Sequence, residues 1–219
     1  APEMCIRDSA YAVHHLYDDK QDEILEILSE CEKAGNPDIV FEFCSTSKVS
    51  FAGGGIAGMA ASSANLDYIR EGMTVRTIGY DKVNQLRHVK YFKDIDGIRE
   101  HMKKHADIIR PKFEAVLQVL DREIGGLGIG EWNKPVGGYF ISFEAMEGCA
   151  KAIVAKCKEA GVVMTGAGAT YPYGKDPKDS NIRIAPTFPT PEEMAEATDL
   201  FVLCVKLVSV NKLLEETVK

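Results

Sequence analysis

The chain has 219 residues, a net charge of −7, 45% hydrophobic and 27% charged residues. That is enough apolar chain to bury the core of one or two domains, and the negative balance excludes a general attraction to nucleic acid or to an anionic membrane surface. No apolar run reaches the roughly 20 residues that a membrane-crossing helix needs, and no secretory pattern opens the chain, so a cytoplasmic protein is expected.

The six cysteines, Cys5, Cys31, Cys44, Cys149, Cys157 and Cys204, include no C-x-x-C pair. No histidine stands beside them in a zinc pattern. Reduced, mostly buried thiols are expected, and no metal site. His14 and His15 are adjacent, so they point in different directions and share a metal poorly; structural or surface roles are expected for both.

In chain order, residues 22–34 carry apolar side chains at 24, 25, 27 and 28, a helical stripe that Gly35-Asn36-Pro37 stops. Residues 38–44, "DIVFEFC", are β-branched and aromatic and predict a buried strand. "MAASSANLDYIREGM" (59–73) predicts a helix. A long helical pattern covers 94–124 and is interrupted at Pro111, where a kink or a new helix is expected. A domain hinge is placed there, giving a first domain over 1–110 and a second over 111–219. Beyond Gly125 the chain alternates: a strand over 137–143, a helix ending at Gly161, a strand over 162–166 and a strand over 181–186. In that last strand Arg183 lies on the face opposite Ile182 and Ile184. Thr190-Pro191-Glu192-Glu193 reads as a capping box opening a final helix with Leu200, Phe201, Cys204, Leu207 and Val208 inward. The pattern is α/β first and α+β after.

One stretch asks for chemistry: "CSTSKVSFAGGGIAGMAAS", residues 44–62. Lys48 follows Ser45, Thr46 and Ser47, with a strand before it and glycines after it. Gly53, Gly55 and Gly58 match G-x-G-x-x-G, but they stand too far from the strand for a dinucleotide fingerprint. Ser45 and Lys48 match S-x-x-K, but the companion S-D-N and K-T-G motifs of acyl-serine enzymes are missing. A lysine that forms an imine with an aldehyde explains more of the stretch: burial and a linked cofactor favour its neutral amine. The hydroxyls and glycines then suit a bulky phosphate.

With "STSKVSFAGGGIAGMAAS", "DSAY" (8–11), "PVGGYFIS" (135–142) and "NIRIAP" (181–186) in this order, the sequence resembles the class I/II aminotransferases, which are fold-type I pyridoxal-phosphate enzymes. It lies near a bacterial aspartate-aminotransferase-like group within them. The resemblance implies an α/β fold: the C-terminal part of the large domain, a mixed or parallel sheet with helices, plus an α+β small domain. It implies pyridoxal 5'-phosphate as cofactor, amino acids and 2-oxo acids as substrates, and a homodimer for the full-length protein. By the same resemblance Lys48 would carry the cofactor as an imine and move the Cα proton. Asp8 would pair with the ring nitrogen, Tyr11 with the ring oxygen, and Ser45 and Ser47 with the phosphate. Arg183 would grip the substrate α-carboxylate through its planar fork. A lyase or decarboxylase of the same fold, or the cofactor-binding domain of a transcription regulator, remain alternatives.

Two departures accompany the resemblance. Ile56 stands where many members carry a phosphate-binding arginine. The segment that precedes D-x-A-Y in the family is missing, and residues 1–7 look unlike the rest. A truncated or joined reading frame is therefore expected, with homology beginning around Asp8, apolar strand edges left exposed, and an isolated fragment that is inactive.

Overall fold

In the computed structural model, which describes residues 5–218, the strand expected over 38–44 forms as β2 (Val40–Ser45), entered through a short turn at Pro37–Ile39. β2 pairs in parallel with β1 (Cys5–Asp8) and antiparallel with β3 (Ala57–Ala61). The register sets Asp8 beside Phe43 and Ser45 beside Ala57. Residues 46–56 are thus the β2–β3 connection. On the edge of this sheet Ile6 is 68% exposed.

The chain divides into two compact units, Ala1–Lys104 and His105–Lys219. In the first, α1 (Ile27–Lys33) is shorter than the sequence stripe because Glu26 caps it, accepting from the N–H groups of Leu28 and Ser29 at 2.9 and 2.7 Å. Ile24 and Leu25 lie outside the helix and are exposed. The helix expected from Met59 begins only at Ser63, as α2 (Ser63–Arg76) capped by Ser62. Met59–Ala61 belong to β3 instead, because ladder bonds to β2 override the helical preference of alanine. α3 (Lys82–Phe92) and the start of α4 (Ile95–Ile124) follow. Phe92, Ile98 and Met102 pack around Val49 from the β2–β3 connection.

The long helix expected over 94–124 is present as α4, a single element that runs through Pro111 rather than starting anew there. Proline lacks an N–H for the carbonyl of residue 107, and the apolar face offsets that loss: Ile109, Phe113, Val116 and Leu120 are buried. The boundary between the units falls within this helix, ahead of Pro111.

The second unit contains an antiparallel sheet in the order β4 (Gly130–Trp132), β5 (Ile141–Ala145), β6 (Asn181–Ile184). Phe143 at its centre is fully buried, stacked on Trp132 and edge-on to Phe201. α5 (Ala150–Glu159) turns out through Gly161 at φ 96°, and α6 (Pro191–Thr217) starts with the capping box that Thr190 and Glu193 spell. Two expectations fail here. Residues 162–166 pair with no strand among the described residues, and Val163 is 80% exposed. On α6 Phe201 and Cys204 are buried as expected, together with Met194, Thr198, Val202, Val205 and Ser209, but Leu200 and Val208 are only half-buried and Leu207 faces outward. That helix is apolar on several faces, so the pattern alone did not fix which one turns inward.

The thiols also differ from expectation. Cys149, Cys157 and Cys204 are buried, but Cys5 and Cys44 are exposed and Cys31 is half-buried. Among the described residues no helix is long and apolar enough to cross a membrane.

Candidate active site

Parallel pairing of β1 and β2 brings their C-terminal ends to the same side of the sheet, where α/β folds bind ligands. Asp8 ends β1, and Tyr11 lies in the turn that follows. Ser45 ends β2, with Ser47 and Lys48 just beyond. Five of the six residues singled out in the sequence therefore lie at this edge of the first unit. The sixth, Arg183, sits on β6 of the second.

The lysine loop is closed at its base and fastened at its crown. Thr46 N–H donates to the Ile56 carbonyl at 2.9 Å, and Ile56 N–H donates to Thr46 Oγ1 at 2.9 Å. The Thr46 carbonyl accepts from the N–H groups of Val49 and Ser50, making one tight turn. Next in the chain, Val49 is 4% exposed and anchors the turn in the apolar cluster. Ile56, in the register of the missing arginine, thus closes the loop and gives a phosphate no charge. Lys48 itself is exposed. The burial expected to favour its neutral amine is not found: the loop turns Val49 inward and Lys48 outward.

Three histidines hold this loop, and the sequence did not single them out as site residues. His14, 4% exposed, donates from Nε2 to the Lys48 carbonyl at 3.0 Å. His101 donates from Nε2 to the Val49 carbonyl at 2.8 Å. His88 donates from Nδ1 to the Asn84 carbonyl at 2.9 Å, which leaves Nε2 to accept from the Thr46 hydroxyl at 2.8 Å. Burial pushes the His14 pKa below its ordinary value, against hydrogen bonds to the Lys48 and Tyr11 backbone that favour the proton. Nothing in local spacing marks these rings, since each reaches the loop from a different element. The structural role expected for His14 is the one observed.

In the second unit, Arg183 lies with its guanidinium carbon 4.4 Å from the centre of the Phe140 ring. Its Nε is buried and has no hydrogen-bond partner among the described residues. The residue lines a cavity of about 490 Å³ whose other walls include Val162, Met164, Phe188, Met194 and Phe201. The strand beneath it is set by Asp176, whose carboxylate accepts from the N–H groups of Lys178, Ser180 and Asn181 at 2.8–2.9 Å. Those bonds hold the Asp176 carboxyl below its usual pKa.

A lysine on the connection after a strand, with a carboxylate and a phenol at the end of the parallel neighbour, fits a fold shared by aminotransferases. α-Aminoadipate aminotransferase LysN of Thermus thermophilus superposes with a TM-score of 0.74 at 21% identity, over 94% of this chain and 50% of that one. The sequence pattern of the family described as aspartate amino-transferase matches residues 1–217, and the chain belongs to that family. The match includes residues 1–7, which the sequence resemblance had set apart from the rest.

A protein of Mycolicibacterium smegmatis that carries an aminotransferase name is 43% identical over 207 residues, covering 94% of this chain and 48% of that protein. An aspartate aminotransferase of Corynebacterium glutamicum is 42% identical over 202 residues, covering 92% and 46%. The crystal structure of an aspartate transaminase from the same organism superposes with a TM-score of 0.91 at 41% identity, over 95% of this chain and 49% of that one. The chain spans about half the length of the curated relatives it matches.

Proposed function

We propose that this chain carries the coenzyme lysine and the carboxylate-binding arginine of a pyridoxal-phosphate-dependent aminotransferase. The enzyme would move an amino group between an aspartate-like L-amino acid and a 2-oxo acid. The observation that carries the reading is the fastened loop: Lys48 is exposed on a turn whose backbone is held from several sides, at the strand edge that also bears Asp8 and Tyr11.

The donor set suits the coenzyme. It offers an amine for the aldehyde, a carboxylate for a pyridine nitrogen, a phenol for the ring oxygen and hydroxyls for a phosphate. Asp8 uses one oxygen to accept from Ala10 N–H at 3.2 Å, which orients the carboxylate and leaves its second oxygen for a ring N–H. When bound, pyridoxal phosphate supplies an aldehyde and a protonated ring that acts as an electron sink.

The chain's own residues do the rest. Lys48 Nζ holds the coenzyme and later takes the proton that leaves the substrate Cα. Tyr11 donates to the ring oxygen, and Ser45 and Ser47 donate to the phosphate. Arg183 would donate two N–H bonds to the α-carboxylate oxygens, one of them from its orphaned Nε. We propose that the working protein is a cytoplasmic homodimer, as resemblance to the family suggests.

The test is to incubate the chain with pyridoxal phosphate, reduce with borohydride and map the labelled peptide. Label on Lys48, lost in Lys48→Ala, supports the reading, and label on another lysine overturns it. In the full-length protein, conversion of the bound coenzyme to its amine form by aspartate or glutamate then separates an aminotransferase from a lyase or a regulator.

A further inference from the structure

We propose that His14 is a positioning residue for Lys48, locking the loop that bears the amine to the turn that bears Asp8 and Tyr11. The inference rests on the coenzyme role of Lys48 proposed above. A buried histidine bonded to a carbonyl is ordinarily packing. Here the carbonyl belongs to the lysine itself, at 3.0 Å from Nε2. The same ring stands edge-on to Tyr11, with centroids 5.6 Å apart. Its own backbone closes the turn after β1, with His14 N–H donating to the Tyr11 carbonyl at 3.0 Å. One imidazole therefore joins the ring-binding residues to the amine-bearing residue.

The imidazole thus bridges from that turn to the Lys48 backbone. β1 and β2 are joined by ladder bonds only as far as Asp8 and Phe43, with Ser9 N–H donating to the Phe43 carbonyl at 2.8 Å just beyond. Past that point the His14 imidazole spans from one connection to the other. His101 fastens Val49 from α4 and His88 fastens Thr46 from α3, so both act on the loop and neither acts on the turn after β1. A small error in the relative placement of ring-binding groups and amine weakens capture of a rigid aromatic aldehyde, because both ends must be met at once.

The experiment uses the chain of 219 residues and three variants. His14→Gln keeps a donor with reach close to Nε2. His14→Asn keeps a polar amide that is too short to reach the carbonyl, and His14→Phe keeps the ring without the donor. In the coenzyme-free chain, amide hydrogen exchange at Val49 and Ser50 should speed up in Asn and Phe and stay near wild type in Gln. With pyridoxal phosphate added, the dissociation constant should rise about tenfold in Asn and Phe and about twofold or less in Gln. The pH midpoint of the bound coenzyme's absorbance band should shift in the same two variants.

Equal behaviour of Gln and Asn in exchange and in midpoint overturns the proposal, even if Phe fails to fold. A wild-type chain that shows no label on Lys48 overturns the coenzyme reading instead. A labelled wild type with an unaltered His14→Asn overturns only the role of His14.

Discussion

Gly55 lies so close to Ser47 that a Cβ on it would stand 2.9 Å from the Ser47 backbone N and Cα and 2.7 Å from Oγ. The contact is with backbone, so it is not relieved by a side-chain rotation. Gly55→Ala must displace the turn that carries Lys48, at a cost of about 1–3 kcal/mol. Coenzyme affinity should fall about tenfold with it, read by fluorescence titration. Gly72 in α2 is the control, because nothing lies within 4 Å of its added Cβ. Gly72→Ala should stabilise the chain by roughly 0.5–1 kcal/mol in urea unfolding and leave coenzyme binding alone.

Arg183 lies with its guanidinium carbon over the Phe140 ring, while its Nε has no hydrogen-bond partner among the described residues. Lysine would keep the charge and lose the fork. Arg183→Lys should therefore raise the half-saturating amino-acid concentration about tenfold or more, with Lys48 labelling by borohydride unchanged. Phe140→Leu removes a contact worth about 0.5–2 kcal/mol and should raise it only a few-fold. Substrate titrations of the coenzyme-loaded full-length protein measure both, and an Arg183→Lys variant that saturates like wild type would remove Arg183 from carboxylate binding.

The sequence made the candidate site residues legible because their chemistry is local, a lysine among hydroxyls and an arginine on a short strand, and it made the α6 capping box legible for the same reason. The long helix and the β2 and β6 strands were legible for the same reason, since their periodicity or β-branching is contained in one segment. What holds the lysine loop was not legible. His14, His88 and His101 come from a turn and two helices, and only the tertiary fold brings them to residues 46–49. β3 was misread because Met59–Ala61 have no strand signal of their own and depend on β2 for pairing.

Asp176 accepts three backbone N–H groups around the entry to β6. Asp176→Ala would leave those donors without their partner and loosen the strand under Arg183. Asp176→Asn keeps an acceptor oxygen and should rescue part of the loss. The melting temperature should follow the order aspartate, asparagine, alanine. Because the folded carboxyl has a lowered pKa, its contribution is present above the ordinary value of 3.8 and is lost as pH falls through the depressed one. The gap between wild type and Asp176→Ala should therefore narrow in acid.

The thiols should sort by exposure. Cys5 and Cys44 are open to solvent and should react quickly with an aromatic disulfide reagent at pH 8, with Cys31 slower. Cys149, Cys157 and Cys204 should react only after unfolding. Burial, with Cys204 as neighbour, pushes the Cys157 thiol up to about 12, so it holds almost no thiolate under these conditions. Peptide mapping of the native reaction checks the order, and early labelling of Cys157 would contradict the packing of α5 on α6.

His14 gives the stability of the chain a dependence on pH with a definite sign. Burial lowers its folded pKa below the ordinary 6.5, with repulsion from His15 acting the same way and the Lys48 and Tyr11 hydrogen bonds acting against it. Above pH 6.5 the ring is neutral in both folded and unfolded chains, and the contribution is complete. As pH falls below 6.5 the unfolded chain takes the proton first, so stability drops, by at most about 1.4 kcal/mol per pH unit for one proton. The drop levels off once the depressed folded value is passed. Other groups titrate in the same range, so the difference between wild type and His14→Gln isolates the effect. Urea unfolding between pH 8 and pH 5 should show wild type losing stability more steeply than His14→Gln. Parallel curves would mean that the imidazole takes up its proton as easily in the folded chain as in the unfolded one.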